Sequence, residues 1–319
     1  MSDLLSKIDA RTKLAGTNKL EILMFTLGIN PRTGRRETYG INVFKVREVL
    51  RTPPITRAPD MPNAVEGMVS LRGALVPIIS LASYTGITVD SPPEIMIVTE
   101  YNGHTQGFLV ESVDTILRLD WSAMRVPPEM VNTPLGGLVT AVTELPDKRL
   151  VMMLDVEKVL AETAHFGEDE SIFRNLKPLG LKNRRVFYAD DSAVARKQIS
   201  RTLEAMGIQG IAAVNGRQAW EELRQMADFS ENSHTDLKEM VHLILTDVEM
   251  PEMDGYMLTR KIKEDKRFAG IPVLMHSSLS GSSNQQLGKA VGVDEYVSKF
   301  EPNRLAATLT RLLKSGESE

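Results

Sequence analysis

An all-β amino-terminal half followed by an α/β carboxyl-terminal half with a five-stranded parallel sheet is the architecture the sequence predicts. Three observations carry it. The chain has 319 residues, more than one core usually serves. From Leu20 to about Leu160 it breaks into short β-rich runs between Gly, Pro and Asn. From Arg184 onward, apolar runs alternate with segments of helical period.

Residues 1–17 read as a short amphipathic helix and tether, with Gly16 and Asn18 as breakers. Residues 18–163 form the β half, through the runs LEILMFTL, YGINVF, GMVSLRG, ALVPIISL, EIMIVTEY, QGFLVESV, GGLVTAV and RLVMMLD. Many short strands with close turns predict a barrel or sandwich. Asn102-Gly103 predicts a two-residue hairpin, since both central residues of that turn need positive φ. Asp155 fits as the N-cap of the helix VEKVL. Residues 164–183, with mixed charge, Pro178 and two glycines, read as a linker.

In residues 184–316 the strands are VFYA, GIAAV, VHLILTD, IPVLMHS and EYVSK. The helical faces are Val194, Ile199, Leu203 and Met206; Ala219, Leu223 and Met226; Leu258 and Ile262; and Leu305, Leu309 and Leu312. The polar stretch Asp228–Lys238 is expected to be a surface loop. Strands alternating with helices mean a parallel sheet covered on both faces, with functional residues at the carboxyl ends of the strands.

Composition narrows the function. Hydrophobic residues at 42% and charged ones at 25% are ordinary for a globular protein. A formal net charge of -4 gives no global field to attract nucleic acid or anionic lipid. Without cysteine, disulfides and thiolate sites are impossible. The start MSDLLSKIDARTK does not read as a secretion signal, and no run approaches the ~18–20 apolar residues of a membrane span. A cytoplasmic chain without membrane insertion is expected. The five histidines are scattered and no phosphate-binding glycine loop occurs, so no enzyme site is read in the β half.

The chemistry lies at the strand ends. The first strand of the α/β half ends in Asp190-Asp191, the third in Asp247 within LILTDVEMPEMDG, the fourth near Ser277 and the fifth in Lys299. Singly, each reads as a cap, loop or surface residue; in that order, at one sheet edge, they converge. Three close carboxylates call for a counter-charge, and Mg²⁺ suits such oxygen donors. One carboxylate is then left as nucleophile toward a phosphoryl group, with the lysine and hydroxyl neutralising and positioning it.

With these residues the α/β half resembles, over essentially its whole length, the flavodoxin-like receiver domain of two-component response regulators. The resemblance implies that Asp247 accepts phosphate from a phosphohistidine on a sensor kinase. It further implies that Asp190, Asp191, Asp247 and the backbone carbonyl of Glu249 hold Mg²⁺. Ser277 and Lys299 would contact the phosphoryl group, and Tyr296 would be the aromatic that turns inward. Met250-Pro251 and Asp254-Gly255 match the loop after the acceptor, whereas Phe300 departs from the proline usual after the lysine.

The run GMVSLRGALVPIISL, with RLVMMLDVEKVL further on, resembles the CheW-type coupling domain over residues 18–163. That resemblance implies a pair of small β-barrels docking on chemoreceptor cytoplasmic tips and on the histidine kinase CheA, with Arg72, beside Gly73, at the receptor contact. The two together resemble the CheV-type coupling proteins. A chemotaxis adaptor regulated by phosphorylation of Asp247 is the implied function. A phosphate sink is the rival, and signalling by Asp247→Ala separates the two: lost adaptation marks the adaptor, slowed signal decay the sink. A haloacid dehalogenase-like phosphohydrolase fits poorly, because Glu249 stands where its second aspartate belongs and the paired acids precede the nucleophile.

Overall fold

The computed structural model describes residues 19–57, 59–62, 64–101, 104–127, 137–163, 173, 176–180, 183–277, 288–299 and 301–315. The helix expected in residues 1–17, the Asn102-Gly103 turn, Phe300 and most of the linker lie outside them. Two compact units hold Lys19–Ala164 and His165–Glu319.

The first unit contains β1 (Lys19–Thr26), β2 (Ile29–Asn30), β3 (Arg35–Arg36), β4 (Thr38–Asn42), β5 (Val46–Arg51), β6 (Val65–Leu71), β7 (Ala74–Ser80), the helix α1 (Leu81–Thr85), β8 (Ile95–Tyr101), β9 (His104–Val110), β10 (Ser112–Asp120), β11 (Val139–Glu144), β12 (Leu150–Leu154) and the helix α2 (Val156–Thr163). One five-stranded sheet runs β10-β1-β4-β12-β11 and the other β5-β8-β9-β7-β6. Each curls back on itself. Arg125, just past β10, bridges Val142 of β11, and Thr56, just past β5, bridges Met68 of β6. The result is two small barrels.

Alternation along the strands fills both interiors and the space between them. On β1, Leu20, Ile22 and Met24 enter the first barrel, while Leu23 and Phe25 face a shared core. On β8, Met96 and Val98 fill the second barrel and Ile97 joins the shared core. Strands covered on both faces read as continuous apolar runs, which explains LEILMFTL and EIMIVTEY. Helix α2 adds Val156, Val159 and Leu160 to the shared core. Asp155 caps it, accepting from the Lys158 N–H at 3.0 Å.

Two strand expectations are corrected. QGFLVESV is two strands, because the chain passes at Glu111 from the second barrel (β9) to the first (β10). β5, VREVLR, escapes a reading based on apolar runs because Arg47, Glu48 and Arg51 interrupt its apolar residues. Tyr101 pairs with His104 across a two-residue connection between β8 and β9.

The second unit contains β13 (Arg185–Ala189), α3 (Ala193–Ala205), β14 (Gln209–Ala213), α4 (Gly216–Ser233), α5 (Leu237–Met240), β15 (Leu243–Thr246), α6 (Gly255–Glu264), β16 (Val273–Ser277), β17 (Glu295–Ser298) and α7 (Pro302–Ser315). The sheet is parallel, in the order β14-β13-β15-β16-β17. Val186, Tyr188, Leu243, Leu245 and Leu274 point to the side covered by α3 and α7, and Phe187, Ala189, Ile244 and Val273 to the side covered by α4 and α6. This is the doubly wound α/β fold expected of the sequence.

The expected surface loop at Asp228–Lys238 is a correction too. Helix α4 continues through Ser233, and α5 follows. No glycine or proline interrupts the stretch, Ala227 and Ser230 are buried, and His234 ends the helix in the left-handed region at φ 57°. Arg267 binds Asp228 and Asp265, each at 2.6 Å, tying the added turns to the loop after α6. Among the described residues no helix is long and apolar enough to cross a membrane.

Candidate functional site

The strand order decides which residues meet. β13 has β14 on one side and β15 on the other, so the chain reverses its direction of winding there, and the crevice opens at the carboxyl ends of β13 and β15. Asp190 ends β13 and Asp247 ends β15. The Asp247 N–H donates to the Ala189 carbonyl at 2.8 Å, so the two acids stand side by side.

Carboxylate oxygens of Asp190, Asp191 and Asp247 all lie within 4.8 Å of one another. Lys299, at the end of β17, is 1% exposed. Its Nζ sits 2.9 Å from Asp247 Oδ2 and 3.0 Å from Asp190 Oδ2. Asp247 Oδ1 accepts the Val248 N–H at 2.7 Å, and Asp190 Oδ1 accepts the Ser192 N–H at 2.9 Å. The lysine N–H of the backbone donates to the Ser277 carbonyl at 3.1 Å, which binds the ends of β16 and β17 together.

Three carboxylates against one ammonium leave net negative charge where Asp190 and Asp247 are almost wholly buried. A hard divalent cation relieves that imbalance, and an all-oxygen donor set fits Mg²⁺ better than a softer metal. Asp190, Asp191 and Asp247 are the side chains that can hold it. Glu249 is buried just beyond the acceptor strand.

Tyr296 of β17 is hydrogen-bonded to Ser277 of β16. Burial pushes its phenol well above the ordinary range; the Ser277 bond opposes that rise, and Asp247 and Glu249 add to it. Tyr256, in the first turn of α6, is buried beside it. Its phenol is raised by burial first, and then by Tyr296, Asp254, Glu249 and Asp247. Asp254 caps α6 by accepting the Met257 N–H at 2.6 Å, and burial raises its carboxyl pKa.

The structure thus brings Asp190, Asp191, Asp247, Ser277, Tyr296 and Lys299 together at one edge. Arg72 and Gly73 lie in the other unit, as the two-residue turn between β6 and β7. Their φ values are 50° and 86°, the left-handed pair such a turn requires. The Arg72 side chain is 72% exposed and reaches Glu48 at 2.9 Å. Leu75 beside it is exposed as well.

Sequence reasoning did not find Arg196. From the second turn of α3 its Nη1 donates to the Asp190 carbonyl at 2.7 Å, tying the acid pair to the helix. The signal available was its position, four residues after the Ser192 cap, where a helical side chain lies back over the preceding turn. Thr246, which donates to the Asp247 carbonyl at 2.8 Å, and Tyr256 were likewise not singled out.

Two protein families match the chain, the CheW-like domain over residues 22–164 and the response regulator receiver domain over residues 186–310. The chemotaxis protein CheV3 of Helicobacter pylori is 29% identical over 301 residues, covering 93% of this chain and 95% of that protein. CheV1 of the same organism is 29% identical, covering 98% and 99%. The chemotaxis protein CheW of Klebsiella aerogenes is 32% identical over 47% of this chain and 87% of its own length. With a CheW-like pair of barrels and a receiver bearing its acids and lysine at one sheet edge, this protein joins a CheW-like domain to a response regulator receiver domain, and it resembles the CheV chemotaxis proteins along nearly its whole length.

Proposed function

We propose that the protein is an adaptor coupling chemoreceptor cytoplasmic tips to the histidine kinase CheA, and that phosphorylation of Asp247 regulates the coupling. The observation that carries this reading is the buried acid cluster spanned by Lys299, built into a chain that also holds a CheW-like domain. The adaptor works at the inner face of the membrane through protein contacts, with no catalytic turnover of its own.

In the transfer step the Asp247 carboxylate forms a bond to phosphorus as the P–N bond of a phosphohistidine breaks, and the imidazole leaves. Lys299 Nζ, already 2.9 Å from Asp247 Oδ2, stabilises the charge on the transferred group. Asp190, Asp191, Asp247 and the Glu249 carbonyl would hold Mg²⁺, which would supply further neutralisation. Ser277 is drawn to the phosphoryl oxygens, which releases its hydrogen bond to Tyr296 and lets that ring and its strand repack. The repacking shifts the population between two arrangements of the β17–α7 surface.

Intact-mass spectrometry after incubation with phosphorylated CheA and Mg²⁺ tests the reading. One phosphoryl group is expected on the wild type and none on Asp247→Asn or without metal. An adduct on Asp247→Asn would overturn the assignment. For the coupling half, Arg72→Ala is expected to weaken capture of the receptor signalling tip at least about tenfold, a loss of roughly 1.4 kcal/mol. Its stability should fall by less than about 1 kcal/mol, because the Glu48 pair is exposed. Unchanged capture would remove Arg72 from the contact.

A further inference from the structure

Phe173, Leu176 and Leu179 stand three residues apart in the segment between the two halves, and each meets the receiver. Leu179 is buried in the cluster formed by Val186, Ile199, Leu203 and Met206. Its N–H donates to the Met206 carbonyl, at the end of α3, at 2.9 Å. Leu176 packs against the same cluster, and its N–H donates to the Phe173 carbonyl at 3.1 Å. The Arg201 guanidinium of α3 lies over the Phe173 ring, 5.7 Å from its centroid. Gly180 and Asn183, at φ 77° and 58°, then turn the chain into β13. A passive tether has no need of apolar anchors.

Helix α7 lines the same cluster through Leu305, Leu309 and Leu313. Helix α7 starts at Pro302, a short step in the chain beyond β17, which carries Tyr296 and leads into Lys299. Residues 164–172 join the anchored segment to α2 of the coupling domain. One apolar cluster therefore touches both the element that follows the acceptor site and the segment that leads to the coupling half.

We propose that Phe173, Leu176 and Leu179 form an intramolecular ligand of the α3–α7 face, and that their docking is coupled to the phosphoryl state of Asp247. The proposal rests on the reading of Asp247 as the acceptor. Packed interiors repack between discrete arrangements instead of deforming smoothly. When Lys299 and Ser277 shift toward a phosphoryl group, α7 moves with β17 and changes the seat of Leu176 and Leu179. Linkage makes the effect reciprocal: the factor by which acceptor occupancy changes docking is the factor by which docking changes acceptor affinity.

Beryllofluoride with Mg²⁺, a phosphoryl stand-in, tests this on the full chain. Hydrogen exchange of the Leu179 amide reads docking directly, and titration reads affinity. Saturating beryllofluoride is expected to change that exchange rate at least about fivefold, and Leu176→Ala to shift beryllofluoride affinity by a similar factor. Leu176 is only partly buried, so this variant is the milder one; Phe173→Ala, which removes the ring beneath Arg201, is the second. Wild-type binding with Leu179 exchange and both variants' affinities unchanged within about twofold would overturn the docking proposal alone. Failure of the wild type to bind beryllofluoride would defeat the acceptor reading and this proposal with it.

Discussion

Lys299→Met is expected to cost the metal-free protein about 3 kcal/mol of stability and to abolish detectable phosphoryl transfer to Asp247. The lysine is fully enclosed, and its Nζ lies within 3.0 Å of both Asp190 and Asp247. Removing it leaves two buried carboxylates facing each other without a cation, which costs far more than losing an exposed pair. The methionine preserves the apolar stem, so the loss reports charge and not volume. Urea unfolding with and without Mg²⁺ separates the contributions. Millimolar Mg²⁺ is expected to restore most of the stability, since the ion supplies the missing charge, but not the transfer rate. Adding Asp247→Asn should recover stability in the metal-free state, because one of the unpaired charges is then gone. A Lys299→Met protein as stable as the wild type without metal would mean that the buried ammonium does not balance these acids.

Gly255→Ala is expected to slow phosphoryl transfer about 100-fold, the scale of a 1 Å misplacement at a reacting group. It should also destabilise the receiver by about 3 kcal/mol, at the upper end of ordinary overpacking. A Cβ there would lie 1.9 Å from the Asp247 carbonyl oxygen and 3.1 Å from Thr246 Oγ1. Neither can yield as the end of a flexible side chain would. The Gly255 N–H also donates to the Val248 carbonyl at 2.9 Å, which holds the start of α6 against the acceptor loop. The methyl group forces the helix and the acceptor apart. Gly216→Ala makes a useful contrast: its Cβ would meet the Met253 carbonyl at 2.2 Å, further from the acceptor. Stability should suffer there with a smaller effect on transfer. Stopped-flow transfer from phosphorylated CheA and urea titration of both variants check the pair, and wild-type kinetics in Gly255→Ala would refute the argument.

Much of the receiver was legible in the sequence because its signals are local. Apolar runs ending in Asp190, Asp247, Ser277 and Lys299 announce both the strands and the edge at which they stop. Parallel topology then requires those ends to share one side, whatever the side-chain detail. The acid cluster could therefore be placed from residue order alone. So could the β character of the first half, where strands buried on both faces read as unbroken apolar stretches.

What the tertiary structure decided is non-local. The barrels close through Arg125–Val142 and Thr56–Met68, pairings that no local period announces. The split at Glu111 depends on which barrel each side joins, and β5 forms because Val46, Val49 and Leu50 pack into two cores despite the charges among them. Helix α4 outlasts its polar composition because Ala227 and Ser230 face the core and Arg267 holds the added turns. The enclosure of Lys299, the Arg196 tether to the Asp190 carbonyl and the seating of Leu176 and Leu179 on the receiver belong to the same class. By itself the sequence determined which chemical groups stand at the strand ends. Their charge balance, and the path by which a change there reaches the rest of the chain, follow from packing between segments far apart in sequence, which local propensity does not encode.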